Sequence, residues 1–153
     1  MPAQRGTIER EDPLVAFAFG IELESGVTGL FTECTGIGSE NEVIEHKVVD
    51  QGGHEYINKI PGRLKWENVT LKRGLTSDMK FWTWRDQIVQ GEVLGARCNG
   101  SIIMYDQTFS EVARWNFEKA WPSKISGPSP KSDSNEYGIE ELTITHEGIY
   151  RAS

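Results

Sequence analysis

A period of two in the apolar residues recurs in segment after segment, and it limits this chain to one broad kind of fold. Successive side chains of a strand point to opposite faces, so such alternation marks a half-buried strand. In residues 13–23, "PLVAFAFGIEL", it sets Val15, Phe17, Phe19, Ile21 and Leu23 against Ala16, Ala18, Gly20 and Glu22. The first set is a core face. The small residues opposite predict that something packs closely on the second face too. Strands are also predicted over residues 29–36, 41–49, 64–74, 101–106, 111–121 and 136–148. The last sets Leu142, Ile144 and His146 against Glu141, Thr143, Thr145 and Glu147. The expected architecture is mainly β, a sandwich or partial barrel of about seven strands with one flanking α-helix.

Two neighbouring segments fit this plan less well. Over 41–49, Val43, Glu45, Lys47 and Val49 alternate with Ile44, His46 and Val48, so neither face is cleanly apolar. "IGSE" before it suits a hairpin with the strand at 29–36. Residues 50–63, "DQGGHEYINKIPGR", hold three glycines and a proline without periodicity, which predicts a long loop of the kind that reaches a partner.

The predicted helix follows Gly74, with Thr76 or Ser77 as cap and Asp78 in its first turn. On a helical wheel, Met79, Phe81, Trp82, Trp84, Ile88 and Val89 spread over roughly 220°. That arc is wider than one contact needs. Either the helix is half sunk in a groove of its own domain, or it packs on its own sheet and also touches a neighbouring subunit.

At 153 residues the chain is expected to be one domain over residues 1–153, with 1–11 as a flexible or inter-subunit extension. A domain this long buries about 70% of its unfolded surface and needs no staple. Its net charge of −7 and lack of any basic run longer than Lys72-Arg73 argue against a general nucleic-acid binder. Cys34 and Cys98 form no CxxC pair and read as reduced thiols in strands. No apolar stretch reaches the ~20 residues that cross a bilayer. The start "MPAQRGTIERED" is too charged for a secretory signal, so the chain is expected in the cytosol until something releases it.

A search for chemistry finds little. His46, His54 and His146 do not stand at metal spacing with one another or with cysteine, and Glu140 and Glu141 point to opposite faces of a strand. No nucleophile elbow, P-loop or dinucleotide fingerprint occurs. No catalytic residue, metal or cofactor is expected.

Several local signals nevertheless fall in one order: Asp12-Pro13, Phe31 to Gly36, Gly52-Gly53, Pro61-Gly62, Leu71-Lys72-Arg73-Gly74 and Trp84. Asp106, Trp115, Ala120-Trp121-Pro122-Ser123-Lys124, Gly127-Pro128, and Glu140 through His146-Glu147-Gly148 continue it. This order, over about residues 12 to 150, resembles the tail-tube protein family of contractile phages and phage-tail-like contractile injection systems.

The resemblance implies a tail-tube fold whose subunits form hexameric rings, stacked into a rigid tube inside a contractile sheath. The second apolar side of the helix, with Met79, Trp82 and Trp84, would then meet an adjoining subunit. Residues 50–63, with Gly52, Gly53, His54, Tyr56 and Pro61, would bridge to the next ring. In a ring, strands of successive subunits would join into one continuous barrel, and Glu33, Glu45 and Lys47 would line its lumen. Implied partners are further copies of the chain, the sheath protein, baseplate and tail-terminator proteins, and a protein effector or DNA as cargo. Assembly in bacterial cytoplasm without membrane insertion is implied as well. A tail tube of a contractile DNA phage is the nearer alternative, and the tube component of a type VI system a related one. From another class, a small monomeric β-barrel could hold an apolar ligand among its tryptophans.

Overall fold

The computed structural model describes residues 18–127 and 138–153. The 1–11 extension, residues 13–17 of the first predicted strand and the start of the last predicted strand lie outside the described residues.

Four strands open the chain: β1 (Ala18–Leu23), β2 (Thr28–Phe31), β3 (Glu33–Thr35) and β4 (Ser39–Val49). They are followed by β5 (Glu55–Trp66), β6 (Val69–Gly74), α1 (Lys80–Val89) and α2 (Val93–Ala96). β7 (Cys98–Tyr105), β8 (Glu111–Ser126), β9 (Ile139–Thr145) and β10 (Gly148–Arg151) complete the order. An antiparallel sheet runs β2-β1-β7-β8-β9-β6-β3, with β10 added to β8; β4 and β5 pair only with each other. The fold is mainly β, as the alternation predicts.

Two corners turn this sheet into two packed layers. β8 pairs with β7 and β10 up to Ala120, and with β9 from Trp121 onward. Just before the change, in the irregular stretch between Phe117 and Ala120, Lys119 takes φ 49°, and its N–H donates to Asn99 Oδ1 at 3.0 Å. A left-handed non-glycine is uncommon, and here it lets one strand change layers. At the other corner Thr32 separates β2, which pairs with β1, from β3, which pairs with β6; its N–H donates to Lys72 O at 2.9 Å. Among the described residues the ladder does not close, so the protomer holds an open two-layered sheet, in keeping with the sandwich or partial barrel expected.

Ile21, Phe31, Leu71, Phe117, Leu142 and Ile144 meet between the layers, all buried. The close packing foreseen on the small-residue face of β1 is real at Gly20: a Cβ there would lie 2.7 Å from the Tyr105 ring. His146 is buried in phase with Leu142 and Ile144. The inward phase of β6 and β9 also carries a charge on each strand. Arg73 and Glu140 are Cα partners, both buried, with Nε donating to Oε2 at 2.8 Å.

This pair seats α1. The Arg73 guanidinium lies 5.1 Å from the ring centres of both Phe31 and Phe81, and Trp82 Nε1 donates to the second oxygen of Glu140. Phe81 rests on Gly29, where a Cβ would come within 2.5 Å of its ring. Trp84 Nε1 donates to Ala96 O at 2.7 Å, tying α1 to α2. The N-cap is Met79, not Thr76 or Ser77 as predicted, and Asp78 just before it accepts from the first helical amide, Lys80 N, at 3.0 Å.

Four predicted features are corrected. Residues 50–63 are not a long loop but a tight turn and most of β5. The strand at 29–36 does not form a hairpin with 41–49, because β3 pairs with β6 and β4 with β5. The strand at 64–74 breaks at Glu67-Asn68, and the final strand stops at Thr145, before β10. Pro61 and Gly62 hid β5 in the sequence, since proline is disfavoured inside sheets; on a two-stranded ribbon with free outer edges it removes no ladder bond.

Glu140→Leu strands a buried guanidinium and is expected to cost about 3–5 kcal/mol. Arg73→Leu combined with Glu140→Leu removes both charges and is expected to cost less than Glu140→Leu alone. Urea unfolding of the two variants checks this; a double variant that loses more than Glu140→Leu alone would show that the guanidinium is not left a buried unpaired charge.

Candidate assembly surface

β4 and β5 form a ribbon that the other described residues hardly cover. Each strand of 11 or 12 residues reaches about 35–40 Å. The tip is tight: Asp50 Oδ1 accepts from Gly52 N and His54 N, each at 2.9 Å, and Gly53 supplies the positive φ of 79°. Near the body the register shifts between Asn41 and Val43, opposite an extra residue in β5. Gly62 sits in that bulge, where a Cβ would lie 2.9 Å from Glu42 O. At the root Trp66 packs half-buried against the core, its ring 6.0 Å from that of His146.

A two-stranded ribbon is at best marginally stable in water, and its outer edges present unpaired N–H and C=O groups along their length. This ribbon also exposes large apolar side chains, including Val43, Ile44, Tyr56, Ile57, Ile60 and Leu64. Such a surface is what a chain presents when another chain will cover it.

The residues predicted to work together are divided among three places. Gly52, Gly53, His54, Tyr56 and Pro61 all lie on the ribbon and are exposed. Glu45 and Lys47 share one ribbon face, where Glu45 stands opposite Lys59. Glu33 is exposed on β3, in the main sheet. On α1 the broad apolar arc splits: Phe81 and Trp84 are buried, Trp82 is half-buried, and Met79 and Val89 are exposed. Trp84 is therefore enclosed by its own chain and has little surface left for a neighbour. Leu75 and Leu94, the latter 92% exposed, extend the apolar flank and carry no signal in the helical pattern.

Chemistry is sparse. Among the described residues no group of three His, Cys, Asp or Glu side chains could hold a metal ion, and no helix is long and apolar enough to cross a membrane. Burial pushes the Cys34 thiol up to about 12, which leaves it unreactive at neutral pH. A cleft of about 350 Å³ is lined by Glu22, Glu24, Asn99 and Glu118 together with Leu23, Phe117 and Tyr150, a mixture of acidic and apolar groups. The tryptophans an apolar pocket would need are engaged, Trp84 in the core and Trp82 on Glu140.

The family model of the T4-like virus tail tube protein gp19 matches residues 15–150. The chain belongs to this tail tube family. No curated protein matches it. Among solved structures it is similar to a chain of an extracellular contractile injection system, the PVC sheath-tube complex in its extended state, at 20% identity over 94% of each chain with TM-score 0.75. A chain of the anti-feeding prophage cap is similar over 100% of this chain and 99% of its own, at 20% identity and TM-score 0.72. Hcp1 from Flavobacterium johnsoniae is more distant, at 11% identity over 88% of this chain and 94% of its own, with TM-score 0.53. The tail tube fold is thus shared across these assemblies.

In dilute protein the ribbon amides of β4 and β5 are expected to exchange with solvent orders of magnitude faster than those of β6 and β9, as read by hydrogen-exchange mass spectrometry. Equal protection would mean that the ribbon needs no second chain. A second expectation concerns His146, whose ring nitrogens make no well-aligned hydrogen bond and whose pKa burial lowers from 6.5, against a smaller pull from the Glu67 backbone. The unfolded chain then takes up the proton first, so this contribution is complete above 6.5 and shrinks as pH falls below it. His146→Leu should lose less stability than the parent between pH 7.5 and 5.5 in thermal melts.

Proposed function

We propose that this tail tube protein is the inner tube of a phage-tail-like contractile injection particle, assembling as stacked hexameric rings that form the conduit for cargo. The observation that carries the reading is the family match over residues 15–150, joined to a ribbon left uncovered in the single chain. The likeness to injection-particle chains, at TM-score 0.75 and 0.72 against 0.53 for Hcp1, supports an injection particle over a type VI tube. The role is structural and involves no catalysis.

In this reading the ribbon extends the sheet of an adjoining subunit, and strands from successive subunits join into one barrel around the lumen. Gly52, Gly53, His54, Tyr56 and Pro61 meet neighbouring copies, as do Met79 and the exposed part of Trp82. Glu33, Glu45 and Lys47 face the lumen. The sheath, baseplate and terminator are the further partners, by analogy with the sheath-tube complex, baseplate and terminator structures in which similar chains occur. The cargo is a protein effector. Residues 1–153 act as one domain, and assembly takes place in bacterial cytoplasm.

Negative-stain electron microscopy of the purified protein tests this directly. Rings with a central hole, or stacked tubes, are expected. A uniform population of monomers at high concentration would overturn the reading.

A further inference from the structure

The ribbon is apolar on both faces, but not at the same height. In an antiparallel ladder, paired residues share a face. On the body side of the bulge, one face carries Asn41 opposite Leu64 and then Val43 opposite Pro61, while the other carries Glu40 opposite Lys65 and then Glu42. On the tip side the pairs that are apolar on both strands lie on the other face. The face that held Val43 and Leu64 now carries only charged or mixed pairs, Glu45 opposite Lys59, Lys47 opposite Ile57 and Val49 opposite Glu55, whereas the other carries Ile44 opposite Ile60, His46 opposite Asn58 and Val48 opposite Tyr56. The change falls beside Gly62, whose bulge adds local twist.

We infer that two different copies of this chain grip the ribbon from opposite sides. One copy covers Val43, Pro61 and Leu64 near the body, and the other covers Ile44, Val48, Tyr56 and Ile60 toward the tip. The inference rests on the tube reading and adds to it which side of the ribbon meets which neighbour.

Three observations make the occupant another copy. Backbone edges left open along a whole ribbon are a template for a partner strand, and among the described residues this chain offers free ladder edges of its own at β2 and β3. Contact between unlike surfaces of identical chains repeats head to tail, the arrangement that closes rings and stacks filaments. Charge permits the approach. The chain carries −7, yet along the ribbon strands and their turn five carboxylates meet four cations, so identical ribbons do not repel strongly. In a ring stack the two neighbours belong to different contacts, one within the ring and one between rings.

The test compares two double variants of the full chain: Val43→Asp with Leu64→Asp, and Ile44→Asp with Ile60→Asp. The side chains lie outside the core, so thermal unfolding within a few degrees of the parent verifies the fold. Sedimentation velocity and electron microscopy then read the assembly. One pair is expected to arrest at monomers and the other at separate rings, each with loss of tubes. Arrest of both at the same species would mean that one partner wraps both sides, and would overturn the inference, as would parent-length tubes from either pair. If an Asp pair misfolds, Leu64→Thr and Ile60→Thr keep strand propensity, and unlike arrest is again expected, with like arrest overturning the proposal. A parent chain that stays monomeric sinks the tube reading itself; a tube-forming parent with like arrest sinks only the two-sided grip.

Discussion

The Arg73–Glu140 pair joins the parts of this fold that sequence distance keeps apart. It lies on the inward phase of β6 and β9, so it forms only when these strands, 67 residues apart, pair in one register. Phe31 and Phe81, edge to face with ring centres 5.5 Å apart, then both lie 5.1 Å from the guanidinium, and Trp82 completes the carboxylate's partners. A buried ion pair is weak evidence for stability, because desolvation opposes the Coulomb gain. Its value here is positional: it places α1 over one sheet at one height, and α1 places Trp84 against α2.

Around that body the chain divides its apolar side chains into two populations. Those of β1, β6, β7, β8 and β9, apart from the exposed Ile139, are largely consumed within the protomer. Those of β4 and β5 are not, although the ribbon holds as many β-branched and aromatic residues as a core strand. A tail tube protein that covered its own ribbon would have no reason to assemble, whereas one that leaves it bare joins its stability to that of its neighbours. Among the described residues the protomer closes no barrel alone.

Alternation made most of the body legible in advance. Leu142, Ile144 and His146 share a buried face as their spacing indicates, and Glu140 and Arg73 stand in phase with buried apolar residues, a signal that could have marked them as a pair. The ribbon was harder to read. Pro61 and Gly62 suggested a loop, since each is disfavoured in a central strand, and nothing in a one-dimensional pattern says that β5 has a free outer edge. The same limit misplaced Trp84. A helical wheel reports that its arc is too wide for one contact, but not that α2 folds back to enclose the indole.

The sequence by itself determined the β class of this protein, the position of α1, the lack of a recognisable catalytic constellation and the kinship with tail tubes, because period, spacing and residue type act locally along the chain. Only the tertiary structure decided which strands pair, that β8 changes layers at Lys119, and which apolar residues remain exposed. Pairing and exposure depend on residues far apart in the chain, and a strand's own pattern is nearly the same whether its apolar face is covered by its own chain or by another.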